Sequence, residues 1–191
     1  MAGKQAKILS AINVRDLLTY ALTRRYPLRN SVIVLLSVKA GLRAGEIAKL
    51  TWEMLVQGDG QISGSIEVHN RIAKKGSGRR LPLHGELRVA LEALMPPKER
   101  RGPIIRSERG GAMRATSIVL WFRSAYRSVG LEGCSSHSGR RTFITRAARL
   151  IHKAGGSLRD VQLLAGHRSI QTTQAYIEGD SDAQRKLVSL L

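Results

Sequence analysis

The stretch Val32-Ile33-Val34-Leu35-Leu36-Ser37-Val38 carries no charge, and its one polar side chain is a small hydroxyl. A segment that is apolar on every side has no face to give to water, so it must run through a core with neighbours all round. Its flanks suit a helix. Pro27 stands where a first turn tolerates a missing N–H, and Gly41 stands where a helix can close on a left-handed residue. The remainder of the 191 residues has to wrap this central helix, and that length suffices for one well-packed domain.

The wrapping elements are read from periodicity. Behind a short basic lead over residues 1–10, expected to fray, Val14, Leu17, Leu18, Ala21 and Leu22 recur at helical spacing, with Asn13 as the expected N-cap. Arg43 to Leu50 reads as a short helix with Ile47 and Leu50 inside. After Trp52 the period changes to two: residues 61–69 and 80–83 alternate like strands, and the turn-rich Ala73-Lys74-Lys75-Gly76-Ser77-Gly78 between them predicts an antiparallel hairpin. A helix runs from Gly85 through Met95 until Pro96-Pro97 stops it, and 98–111 reads as a surface loop. Residues 116–129 form the next helix, with Val119, Leu120, Phe122, Ala125 and Tyr126 as its expected buried side. Short helices follow over 138–153, 157–164 and 170–177, and a last one over 182–191 carries Leu187, Val188, Leu190 and Leu191. The fold class expected is mainly α with a small antiparallel β-sheet, an α+β arrangement in a single domain.

Charge narrows the partner. Thirty-two Lys+Arg against 14 Asp+Glu leave a formal charge of +18, a surface that concentrates polyanions. Nucleic acid is the leading partner; an anionic membrane surface or an acidic protein is the weaker reading, and a basic ribosome-type protein fits the charge alone equally well. Cys134 is the single cysteine, which excludes an intramolecular disulfide and a Cys-based zinc site. No apolar run reaches the ~18 residues of a membrane span and no apolar signal core follows Met1, so an intracellular protein, cytoplasmic and nucleoid-associated, is expected. Two Phe, two Trp and four Tyr are too few for a base-stacking platform.

Certain side chains carry chemistry in a fixed order. His137 and Arg140, three apart, share a helix face among serines that make good N-caps, where free N–H groups and the helix dipole favour phosphate. They read either as a phosphate site or as a cap beside a solvated charge. Tyr176 follows His167 by nine residues. It reads as a core aromatic or as a nucleophile whose phenolate, scarce with a pKa of about 10, would need cations and a base nearby. Arg43 and Glu46 form either an exposed i, i+3 ion pair or a phosphate ligand oriented from behind. Lys74, in the hairpin turn, is either solvated or a proton donor to a leaving oxygen.

Taken in order, these residues resemble a family. Ala40-Gly41-Leu42-Arg43-Ala44-Gly45-Glu46-Ile47, then Lys74 eight residues before Pro82, then His137-x-x-Arg140-Arg141-Thr142-Phe143, Leu163-Leu164-Ala165-Gly166-His167 and Thr172-Thr173-x-x-Tyr176 are similar to the catalytic domain of the tyrosine recombinases, the lambda-integrase-like enzymes. The resemblance covers roughly residues 30–178. It implies that fold, and a transesterification of double-stranded DNA with no metal, cofactor or ATP. In it Tyr176 attacks and joins the 3′ phosphate, Arg43 and Arg140 hold the non-bridging oxygens, and His137 acts as base or phosphate ligand. His167 is a further hydrogen-bond donor. Lys74 is the general acid, with Lys75 as its rival. A type IB topoisomerase-like enzyme and a non-cleaving DNA-binding regulator of the same fold are the alternatives.

Lys75, Arg79, Arg114, Arg123, Arg127 and Arg141 are candidates for contacts to DNA. A homo-tetramer at synapsis, with the 180–191 segment passed to the next protomer, and accessory DNA-bending proteins are the partners implied. The chain departs from the pattern in two places. Gly139 replaces a bulky apolar residue before the second arginine, at a helix-propensity cost of about 1 kcal/mol relative to Ala, and leaves a packing position for another residue to fill. Hardly 30 residues precede the matching region, so no separate N-terminal core-binding domain is expected, as in the short fimbrial invertases.

Overall fold

The apolar run lies on α2 (Pro27–Lys39), and every residue from Asn30 to Val38 is buried. Pro27 occupies the first turn, and the chain leaves the helix through Gly41 at φ +62°. No side chain fits at that position: a Cβ on Gly41 would lie 2.4 Å from Cδ1 of Phe143. The computed structural model describes residues 6–96, 100–176 and 188–189.

Around α2 pack α1 (Ala11–Leu22), α4 (Gly85–Leu94) and α6 (Ser138–Leu150), while α3 (Ala44–Lys49) packs on α5 (Ala115–Ser128). Two strands, β1 (Ser65–Val68) and β2 (Arg79–Pro82), pair antiparallel with Ser65 opposite Pro82 and Val68 opposite Arg79. The turn between them includes a 3₁₀ turn over Lys74–Gly76. The predicted mainly helical fold with a small antiparallel sheet is therefore observed. A second, smaller cluster built on Ile144, Ala148, Val161 and Ala165 joins α6 to α7 (Leu158–Ala165) and takes in Tyr176 just beyond α8 (Ile170–Gln174).

Several local expectations are corrected. Ser10, not Asn13, caps α1; Asn13 is the third helical residue and returns a side-chain bond to the Ser10 N–H. The end of the basic lead is anchored: Leu9 is 1 % exposed, its N–H donates to Thr142 Oγ1 at 2.8 Å and its carbonyl accepts from Arg146. The first strand is only Ser65–Val68, Ile62 forming an isolated bridge with Val56. Within the expected surface loop, Ile104 and Ile105 are buried, pinned by bonds to Leu50 and Met113. On α5 the buried side is Ile118, Phe122, Ala125 and Tyr126, whereas Val119 and Leu120 are 41 % and 61 % exposed. The helix expected over 170–177 ends at Gln174, and Tyr176 lies in the turn beyond it. The helix expected over 182–191 falls outside the described residues, apart from Val188 and Ser189.

At Gly139 the packing position left open by the missing side chain is filled by other residues, as expected. A Cβ there would meet Ser37 Oγ at 2.2 Å, Ser37 Cβ at 2.9 Å and Val38 Cγ1 at 3.1 Å. The position is filled by α2 itself, which approaches α6 so closely that only glycine fits. Among the described residues no helix is long and apolar enough to cross a membrane.

Candidate active site

Arg43 is the N-cap of α3, and Glu46 closes the cap from inside: the Arg43 N–H donates to Glu46 Oε2 at 2.9 Å, and Arg43 Nη1 donates to Oε1 at 3.1 Å. Glu46 is 2 % exposed. This is the buried form of the pair, the carboxylate holding the arginine from behind. Arg79 completes the carboxylate's shell, Nη1 donating to Oε1 and Nη2 to Oε2, each at 3.0 Å. Burial works to raise the Glu46 pKa, but the Arg79 bonds and charge, with those of Arg43, outweigh it and hold the carboxyl below its ordinary range.

His137 caps α6, so that Arg140 falls in its first turn. The turn before it is set by serines: Ser135 N–H donates to Ser138 Oγ at 3.0 Å, and Ser138 N–H to the Ser135 carbonyl at 2.8 Å. Arg140 is 3 % exposed. Its Nη1 donates to the Gly41 carbonyl and its Nη2 to the Ala165 carbonyl, both at 2.6 Å, and Nη2 also lies 3.1 Å from His167 Nε2. Burial, followed by the Arg43 and Arg79 charges, lowers its pKa, yet it stays a cation at neutral pH.

A helix stop delivers His167. Gly166 is left-handed at φ +63°; its N–H returns to the Leu163 carbonyl and the His167 N–H to the Gln162 carbonyl, both at 3.1 Å. That is the paired bonding of a Schellman stop. The Gln162 side chain donates to the His167 carbonyl at 2.9 Å, and His167 Nδ1 lies 3.0 Å from Thr173 Oγ1. A guanidinium only donates, so Nε2 must accept from Arg140 and the proton sits on Nδ1, facing Thr173. Burial, then Arg140, Arg43 and Arg79, push its pKa down to about 4, and the ring is neutral near pH 7. The Tyr176 ring stacks on it with centroids 5.4 Å apart and planes at 28°. For His137, burial and the charges of Arg43, Arg140 and Lys74 likewise lower the pKa, which leaves a basic imidazole lone pair at neutral pH.

Arg43, Lys74, His137, Arg140, His167 and Tyr176 all line one cavity of about 420 Å³, together with Arg141 and Thr172. The six positions come from five separate stretches of sequence and meet only in the folded chain. Lys75 is not on its wall; it stands in a left-handed conformation at φ +58°, and its carbonyl accepts from Arg168. An adjoining hollow of about 740 Å³ shares Arg43, Lys74 and His137 and continues along Thr116, Val119 and Leu120 of α5. Arg123 and Arg127 are exposed farther along that helix, and Arg114 is exposed at its start. Of the candidate DNA contacts, Arg141 is buried on the cavity wall, and Arg79 is turned inward, its side chain 4 % exposed. Pleating marks this in the sequence, because Arg79 shares a face with buried Leu81 while Arg80 points out. Thr173, three residues before Tyr176, is the other partner that sequence reasoning passed over. No group of three or more His, Cys, Asp or Glu side chains able to hold a metal occurs among the described residues.

Comparison with known proteins bears on the fold and the family. Tyrosine recombinase XerC of Rhizobium meliloti is 30 % identical over 161 residues, covering 80 % of this chain and 46 % of that protein. XerC of Rickettsia prowazekii is 30 % identical over 193 aligned positions, covering 92 % and 58 %. The chain thus spans about half the length of the curated relatives it matches. The XerA recombinase structure superposes with a TM-score of 0.73 at 23 % identity, over 98 % of this chain and 65 % of that one. A lambda integrase dimer bound to a COC′ core site gives 0.72 at 21 %, over 94 % and 51 %. The family model described as the phage integrase family matches residues 7–182, and the chain belongs to that family.

Proposed function

We propose that the protein is a site-specific DNA recombinase that cuts and rejoins strands of double-stranded DNA through a 3′-phosphotyrosine intermediate, without metal or ATP. The observation that carries this reading is the single cavity in which a phenol, two imidazoles, three guanidiniums and an ammonium converge. In the forward step Tyr176 Oη attacks the scissile phosphorus as its proton passes to His137, whose depressed pKa keeps it a base at neutral pH. Arg43 and Arg140 neutralise the charge that grows on the non-bridging oxygens. The bond from phosphorus to the 5′ oxygen breaks, and Lys74 gives that oxygen a proton. In the return step a 5′ hydroxyl attacks the phosphotyrosine and Tyr176 recovers its proton, so bond energy is conserved.

The hollow running on from the site suits the DNA duplex: Val119 and Leu120 can meet base edges while Arg114, Arg123, Arg127 and Lys75 meet phosphates. A net charge of +18 makes the complex steeply salt-dependent. Synapsis as a homo-tetramer with accessory DNA-bending proteins belongs to the same reading, as does a cytoplasmic, nucleoid-associated location.

A nicked suicide duplex from the gene's own neighbourhood, incubated with the protein in chelator, tests it. A denaturation-resistant protein–DNA adduct that disappears in Tyr176→Phe is expected. Tight binding with no adduct on any such DNA would refute cleavage and leave a regulator.

A further inference from the structure

Arg79 has no place on the wall of the phosphate cavity, yet it is one of the best-bonded side chains near it. Both of its terminal nitrogens bridge the Glu46 carboxylate at 3.0 Å, and its Nε donates to the Leu164 carbonyl at 2.9 Å. Three segments thereby meet on one planar group. β2, which begins at Arg79, closes the hairpin whose turn carries Lys74. Glu46 holds Arg43. Leu164 lies in the last turn of α7, two residues before the Gly166 stop that delivers His167.

Contact with that stop is direct: a Cβ on Gly166 would lie 2.9 Å from Arg79 Cδ. The carbonyls of Leu164 and Ala165, which α7 leaves unbonded at its end, go one to Arg79 and one to Arg140. The two guanidiniums thus fix the helix end, where cations are favoured, and with it the distance between the two halves of the site.

We propose that Arg79 is a positioning residue for strand cleavage, a buried clamp that sets Arg43, Lys74 and His167 in register around the phosphate without touching DNA. This rests on the strand-cleavage reading above. A lysine at 79 keeps the charge but cannot bridge both carboxylate oxygens and reach the Leu164 carbonyl in one plane. Misplacement of catalytic groups by about 1 Å can cost about 100-fold in rate.

The test compares the parent, Arg79→Lys and the paired Arg79→Met/Glu46→Gln, which removes both buried charges and guards against misfolding of the single change. Single-turnover adduct formation on the suicide duplex is read beside DNA affinity and thermal unfolding. The expected result is a folded protein that binds DNA within about twofold of the parent and cleaves about 100-fold more slowly. On a substrate whose leaving 5′ oxygen is replaced by sulfur, which needs no proton donor, part of that loss should return, a readout that a merely structural role would not move. Cleavage within threefold of the parent in a folded variant would overturn the proposal. So would a fall in DNA affinity that accounts for the lost rate, or failure of both variants to fold. Absence of an adduct in the parent itself would strike at the cleavage reading instead.

Discussion

Replacing Gly139 by Ala separates helix propensity from packing, because the two push in opposite directions. An exposed helical glycine changed to alanine gains about 1 kcal/mol. At Gly139 the new Cβ would stand 2.2 Å from Ser37 Oγ, 2.9 Å from Ser37 Cβ and 3.1 Å from Val38 Cγ1. The hydroxyl can rotate away, but Ser37 Cβ cannot, since it is fixed to the backbone of the buried α2. The helices must part by several tenths of an ångström, and overpacking of this kind costs about 1–3 kcal/mol. Subtracting the propensity gain from the upper part of that range leaves a net loss of about 1–2 kcal/mol, a fall in Tm of roughly 2–8 °C for a chain of this size. Differential scanning fluorimetry and urea titration read it. The companion variant Ser37→Gly removes both offending atoms, so Gly139→Ala/Ser37→Gly should be more stable than the sum of the single changes by about 1–2 kcal/mol. A Gly139→Ala protein stabilised by about 1 kcal/mol, or a strictly additive pair, would refute the close approach of α2 and α6.

Two further outcomes are expected. Lys74→Ala should slow adduct formation by about 10²–10⁴-fold while Lys75→Ala stays within severalfold, and a sulfur-leaving substrate should rescue Lys74→Ala alone; a larger defect at Lys75 would move the acid to that residue. His167, with its pKa near 4 in the fold against 6.5 ordinarily, is neutral in folded and unfolded chains once the pH is about one unit or more above 6.5 and adds no pH dependence there. As pH falls from 6.5 towards 4 the unfolded chain takes up a proton that the folded one refuses, so stability drops by up to about 1.4 kcal/mol per pH unit. Urea titrations across that window should show a shallower loss for His167→Gln; equal slopes would refute the assignment.

The helical elements were legible because each is written within a turn or two of chain. Periodicity marked α1, α4 and α5, and Pro27 and Gly41 bracketed α2. The hairpin showed in its change of period, its ends less so, since strand limits depend on what pairs across. Legible too were the six side chains of the cavity, because their chemistry and order are local text even when their meeting is not.

Direction was the harder part. Val119 and Leu120 are apolar letters on an amphipathic helix, and the sequence alone set them inward. Their exposure reflects the hollow that α5 faces, which exists only once the hairpin and α3 are in place. The basic lead was read as loose because Thr142 and Arg146, which tie down Leu9, lie more than a hundred residues away.

What the sequence by itself determined is the set of helices around one apolar axis, the basic surface and the ordered list of reactive groups, all encoded by residue type and short spacing. Tertiary structure alone decided the surroundings of each arginine. Arg43, Arg79 and Arg140 are the same side chain, and the alternation in β2 that turns Arg79 inward does not distinguish the partners each guanidinium meets. Glu46, 33 positions from Arg79, and the carbonyl ends of α2 and α7 make that distinction, because a buried guanidinium must find acceptors and only the folded chain brings them within reach.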